Sequence, residues 1–176
     1  MRRGVWGMLE PGCGAGSNSN GRRSALSSGI INHVNVVTQD LEGMATFFTE
    51  NFGFTAGAAK DLEGAWVAEL TGYPGARARY IPLTPTGAGP DATRIELLTY
   101  LHPTTPPPPD SNPDLDQPGY RHIGFVVEDI EASYQKLKDE WRFFSAPVLV
   151  AEMRLKTVYF VGPEEIVIQL LQPLSG

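Results

Sequence analysis

The chain is short of cysteine, of histidine, of long apolar runs and, over most of its length, of positive charge. Its 176 residues include one cysteine, Cys13, which excludes an intrachain disulfide and fits a reducing compartment. No apolar stretch approaches the roughly 20 residues of a membrane-spanning helix, so the 41% hydrophobic content is read as the core of a globular unit, with no membrane partner. Acidic residues outnumber basic ones by 20 to 14, and four of the arginines fall in residues 1–29 beside a single glutamate. The rest of the chain carries 10 basic and 19 acidic residues, a balance that argues against nucleic acid as a partner. Histidine occurs three times, as His33, His102 and His122.

What is present is a duplication. Ile31 to Glu50, INHVNVVTQDLEGMATFFTE, is matched by Tyr120 to Glu140, YRHIGFVVEDIEASYQKLKDE. Placing His33 on His122 places Asp40 on Asp129, with a hydrophobic run before each aspartate and a helical pattern after it. Further on, Ile95-Glu96-Leu97-Leu98 is echoed by Ile168-Gln169-Leu170-Leu171.

Four segments follow. Residues 1–29, rich in Gly, Ser, Asn and Arg, have no apolar period and are expected to be a disordered tail. Their arginine and serine content with little acid leaves an organelle transit peptide as the alternative to a cytoplasmic location. Residues 30–101 form the first module and residues 120–174 the second. Residues 102–119, with seven prolines, read as a stiff linker rather than a packed element, and His102 within it reads as a surface residue.

In the first module Ile31 to Val37 predicts a strand. Asp40 then caps a helix that carries Met44, Phe47 and Phe48 on one face and stops at Gly53. Strands are predicted at Ala65 to Leu70, Arg77 to Leu83 and Thr93 to Leu101. The second module repeats the plan. It has a strand at Arg121 to Val127, a helix from Asp129 with Ile130, Tyr134 and Leu137 on one face, and strands near Pro147 to Glu152, Thr157 to Val161 and Ile166 to Gln172. The order is β-α-β-β-β twice, an α+β fold.

Each module therefore offers one potential metal ligand early and one late: His33 and Glu96, then His122 and Gln169. A charged Glu96 inside Ile95-Glu96-Leu97-Leu98 needs a partner, because a lone carboxylate costs several kcal/mol to bury, and a cation supplies one. Any of the four alone reads as an ordinary strand residue. Their joint placement at equivalent positions of two repeats makes the case for a metal.

The segments HVNVVTQDLEGMATFFTENFGF, RIELL, RHIGFVVEDIEASYQKL and VYFVGPEEIVIQLLQP resemble the vicinal oxygen chelate superfamily. That superfamily includes glyoxalase I, methylmalonyl-CoA epimerase, extradiol dioxygenases and fosfomycin and bleomycin resistance proteins. The resemblance implies two βαβββ modules whose curved sheets enclose a metal-centred cavity. The metal ligands it implies are His33, Glu96, His122 and Gln169, and commonly the protein is a homodimer acting on a small molecule. Relatives usually have glutamate where this chain has Gln169. An amide oxygen binds a cation without adding charge and cannot act as a base, which leaves Glu96 as the only anionic ligand and the candidate base.

The activity implied is a metal-dependent lyase or isomerase of the glyoxalase I or acyl-CoA epimerase type, moving a proton alpha to a carbonyl through an enediolate or enolate. The implied cofactor is a divalent Ni, Co, Zn or Mn ion. Two alternatives stay open: an Fe(II) dioxygenase, since two histidines and a carboxylate form a facial triad, and a non-catalytic binding or resistance protein. Trp66, Tyr73, Tyr80 and Tyr100 are candidates to line a pocket, and Arg77, Arg79, Arg94 and Lys156 to meet a thioester tail or carboxylate.

Overall fold

The structure, a computed structural model, describes residues 30–108, 115–116 and 118–174. The expected tail at residues 1–29 lies outside them. The first module runs β1 (His33–Val37), α1 (Leu41–Phe52), β2 (Phe54–Ala56), β3 (Lys60–Leu62), α2 (Ala65–Thr71), β4 (Arg77–Pro85) and β5 (Arg94–His102). The second runs β6 (Ile123–Val126), α3 (Ile130–Leu137), β7 (Arg142–Phe143), β8 (Val148–Val150), β9 (Leu155–Val161) and β10 (Val167–Pro173). The class is α+β and the two modules are alike, as expected.

The aspartates act as predicted at both helix starts. Asp40 accepts the Gly43 amide at 2.9 Å and Asp129 accepts the Ala132 amide at 3.0 Å, each satisfying a donor the first turn would leave orphaned. Gly53 ends α1 at a φ of 65°, a left-handed conformation that glycine adopts without a Cβ clash.

Each module builds a five-stranded sheet, ordered β1-β5-β4-β2 with β3 also on β4, and β6-β10-β9-β7 with β8 also on β9. The parallel pairs β1·β5 and β6·β10 bring the start and end of each module together. Alternation along the strands then gives each sheet two unlike faces. One face of the first sheet carries Ile81, Leu83, Ile95 and Leu97, all buried, and the matching face of the second carries Ile123, Val158, Phe160, Ile168 and Leu170. These faces pack with the helices into one core that spans both modules. Phe48 and Phe52 of α1 meet Phe125 of β6 at ring-centroid distances of 6.1 and 4.2 Å, and Phe47 meets Trp141 at 5.3 Å.

The modules are also tied by Glu164, in the turn before β10. Its carboxylate accepts the Thr38 hydroxyl and the Asp40 amide, both at 2.9 Å, and the Gln39 amide at 2.9 and 3.1 Å to its two oxygens.

Some expectations need correcting. The segment Ala65 to Leu70 is a helix, not a strand. Ala, Glu and Leu favour that state, the Thr71 hydroxyl donates to the Val67 carbonyl, and the Gly72 amide closes the last turn by donating to the Ala68 carbonyl. The short strands β2 and β3 take the place expected of it. In the second module β6 begins at Ile123, so His122 precedes the strand. The first residues of the proline-rich stretch are packed: Thr105 is buried, its hydroxyl accepts the Tyr100 amide at 2.7 Å, and its carbonyl accepts from the Gln39 side chain at 3.0 Å.

Candidate metal centre

The four predicted ligands stand on the faces opposite the shared core, which are open in both sheets. On the first sheet the β1·β5 register aligns His33 with Arg94 and Asn35 with Glu96, and β4 places Pro82 opposite Glu96 and Tyr80 opposite Leu98. His33 Nε2 lies 3.6 Å from Glu96 Oε2, with 44% and 25% of the two side chains exposed. That separation is outside hydrogen-bonding range.

Local bonds decide which atoms face each other there. Arg94 donates to the Asn32 side-chain oxygen at 2.8 Å, and the same oxygen lies 3.1 Å from His33 Nδ1. An oxygen that already accepts from a guanidinium can only accept again, so Nδ1 carries the proton. In the neutral imidazole Nε2 is then a bare lone pair, set beside a carboxylate oxygen. A neutral imidazole nitrogen and a carboxylate oxygen side by side are two donors that suit a cation.

The second sheet repeats the logic with different chemistry. Gln169 pairs with Gly124 on β6 and Tyr159 on β9, and the His122 ring stands edge-on to Tyr159 at 5.2 Å. The Thr157 hydroxyl donates to the Leu170 carbonyl at 2.9 Å, so it accepts from Gln169 Nε2, also at 2.9 Å. Gln169 Oε1 is thereby turned toward β6. A Cβ added to Gly124 would lie 3.6 Å from it.

The structure thus brings His33 to Glu96, and sets His122 and Gln169 about one tyrosine. Among the described residues no three His, Cys, Asp or Glu side chains converge on one point. The cations split by face. Arg79 is taken by Asp61 at 2.6 Å, which holds the Asp61 carboxyl below its usual range, and Lys156 is taken by Glu131 at 2.8 Å. Arg94 alone of the four candidates adjoins the His33–Glu96 pair. Tyr80 and Tyr100 share the open face, Tyr73 packs edge-on to Tyr100 at 6.1 Å, and Trp66 on α2 is exposed. A cavity of about 390 Å³ between α1 and α3, lined by Phe47, Lys136 and Trp141 among others, contains none of the four ligand candidates.

Sequence reading missed Asn32, Gly124, Thr157 and Glu164. The last was within reach. Superposing Glu96 on Gln169 also puts Asp91 on Glu164 and Pro90 on Pro163, which marks the turn as part of the repeat.

The family model of the Glyoxalase/Bleomycin resistance protein/Dioxygenase superfamily matches residues 30–147. The chain belongs to that superfamily. No curated protein matches it. Among solved structures, this superfamily member is similar to a glyoxalase family protein from Bacillus cereus at 25% identity, with a TM-score of 0.72, over 86% of this chain and 99% of the other. It also shares its fold with TnmS3, an antibiotic-binding protein from Streptomyces sp. CB03234 (21% identity, TM-score 0.53, 84% and 98% coverage). A third fold relative is the trypanothione-dependent glyoxalase I of Leishmania major (19%, 0.51, 82% and 87%). The superfamily contains enzymes and non-catalytic members. No helix among the described residues is long and apolar enough to cross a membrane.

Proposed function

We propose that this superfamily member is a metal-dependent lyase or isomerase that moves a proton alpha to a carbonyl of a small molecule, with His33, Glu96, His122 and Gln169 as the metal's ligands. The observation that carries the reading is the facing pair of His33 Nε2 and Glu96 Oε2, 3.6 Å apart on the open face of the first sheet. Bound by these residues, a divalent ion would supply Lewis acidity that lowers the pKa of a C–H alpha to a carbonyl and offsets developing negative charge.

The protein's own groups do the rest. Glu96 is the sole carboxylate among the four donors and the one that can take a proton and return it, because the Gln169 amide cannot. Tyr80 and Pro82 wall the open face beside it. Arg94 supplies positive charge next to an anionic substrate group.

The site is completed by a second copy of the chain. Within one chain the helix sides of the sheets are spent on the shared core, which leaves two open faces, each with half of the ligand set. Val37 and Val126, 47% and 71% exposed on those faces, are apolar surface for such a contact. A homodimer pairs the His33–Glu96 half of one copy with the His122–Gln169 half of the other.

The test is solvent-deuterium incorporation alpha to the carbonyl, followed by NMR, for hemithioacetals of 2-oxoaldehydes and for 2-substituted acyl thioesters. Incorporation into one class, abolished in Glu96→Gln, is expected. Binding of such compounds with no exchange would instead support a non-catalytic binding protein.

A further inference from the structure

Just before β1, beside the open face of the first sheet, stands a residue that touches neither substrate nor metal in the reading above, yet decides what His33 presents. Asn32 is held at three points. Its carbonyl accepts the Arg94 amide at 3.0 Å, its side-chain oxygen accepts from Arg94 Nη2 at 2.8 Å, and that oxygen lies 3.1 Å from His33 Nδ1. One residue earlier, the Ile31 carbonyl accepts the Thr93 hydroxyl at 2.7 Å, so the chain entering β1 is laced to the start of β5. We infer that Asn32, oriented by Arg94, is a positioning residue that locks His33 in the Nδ1–H tautomer and thereby presents the Nε2 lone pair beside Glu96.

Donors and acceptors fix the tautomer. A guanidinium has only N–H groups, so the Asn32 atom it meets is the oxygen, and an amide oxygen offers only lone pairs. The imidazole must therefore donate through Nδ1. Without Asn32 that constraint is gone, and a free histidine side chain favours the proton on Nε2, the atom that faces Glu96 at 3.6 Å. Metal-binding histidines commonly have their second nitrogen fixed by such a partner, and its loss typically weakens metal binding by roughly 10–100-fold. In its bearing on metal the inference rests on the proposed function. The tautomer itself does not.

The experiment uses the metal-free full chain in alkaline buffer, where imidazole is neutral, and reads the tautomer of His33 from long-range proton–nitrogen NMR correlations. Three proteins are compared: wild type, Asn32→Ala and Asn32→Asp. Asn32→Asp keeps an acceptor for both Arg94 and Nδ1–H. The expected result is Nδ1–H in wild type and Asn32→Asp, and a shift to Nε2–H in Asn32→Ala, with melting temperatures alike because Asn32 is exposed. Co(II) titration of the same samples is expected to show roughly 10–100-fold weaker binding in Asn32→Ala alone. Nε2–H in the wild type, or one tautomer in all three proteins, overturns the assignment. Absence of Co(II) binding by wild type with the tautomer shift intact would instead remove the metal reading and leave the relay standing.

Discussion

Glu164 of the second module and Thr38 of the first are 126 residues apart in sequence and joined by a 2.9 Å hydrogen bond. The same carboxylate takes the amides of Gln39 and Asp40, so it holds the two residues that lead into α1 from the other module, at the helix end that favours an anion. Glu164 adopts a φ of 50°, uncommon for a residue with a Cβ, and these bonds across the modules compensate. Removing the carboxylate takes the acceptor from the Gln39 amide and from the buried Thr38 hydroxyl proton, while the Asp40 amide keeps the Thr38 oxygen at 3.1 Å. Glu164→Ala is therefore expected to destabilise the fold by roughly 1–3 kcal/mol in urea unfolding. Asp91→Ala, at the equivalent point of the other repeat but exposed, is expected to change it by less than about 0.5 kcal/mol.

The shared aromatic core is expected to make the two modules unfold as one cooperative unit. Phe48 is fully buried and touches Phe125 of the other module. Phe48→Ala is expected to cost roughly 3–5 kcal/mol, with a single unfolding transition whether followed by circular dichroism or tryptophan fluorescence. Two separate transitions would show that the modules fold independently.

Gly124 keeps space in front of Gln169. A Cβ there would lie 3.1 Å from Leu171 Cδ1 and 3.6 Å from Gln169 Oε1, and Gly124 itself is exposed, with no fold role that a side chain would break. Gly124→Val is expected to weaken metal binding by about tenfold or more, the scale on which displaced ligand geometry acts, with little change in melting temperature. Unchanged affinity would place Gln169 outside the ligand set.

The Asp61–Arg79 pair gives a pH signature of known sign. The guanidinium lowers the Asp61 pKa below that of the unfolded chain, so its contribution is present above the unfolded carboxylate pKa and is lost as pH falls through the folded one. Both partners lie at the surface, where salt screens them. Wild type and Asp61→Asn should differ slightly at neutral pH and low salt and converge at acid pH or in high salt, as read by denaturant midpoints.

Much of this was legible from the chain itself. The aspartate caps depend on three or four neighbouring residues, and the buried faces of α1 and α3 follow from their spacing, so local chemistry declared them. Ala65–Thr71 misled because a seven-residue helix with one buried side chain, Val67, has too short a period to tell from a strand. The division of the four ligand candidates into pairs was not legible either. Both modules have an apolar face and a face with polar donors, and only packing decides which faces meet inside one chain. The phenylalanines of α1 and β6 settle it in favour of the helix sides.

The most direct test of the account is the metal content of chelator-free protein, measured by elemental mass spectrometry across a size-exclusion peak for wild type, His33→Ala, His122→Ala and an equimolar refolded mixture of the two variants. About one divalent ion per chain is expected in a wild-type dimer. Either variant alone should have almost none. The mixture should regain a part, because a mixed dimer has one intact ligand set. A wild type that takes up no metal after reloading, or variants that keep it, would contradict the account.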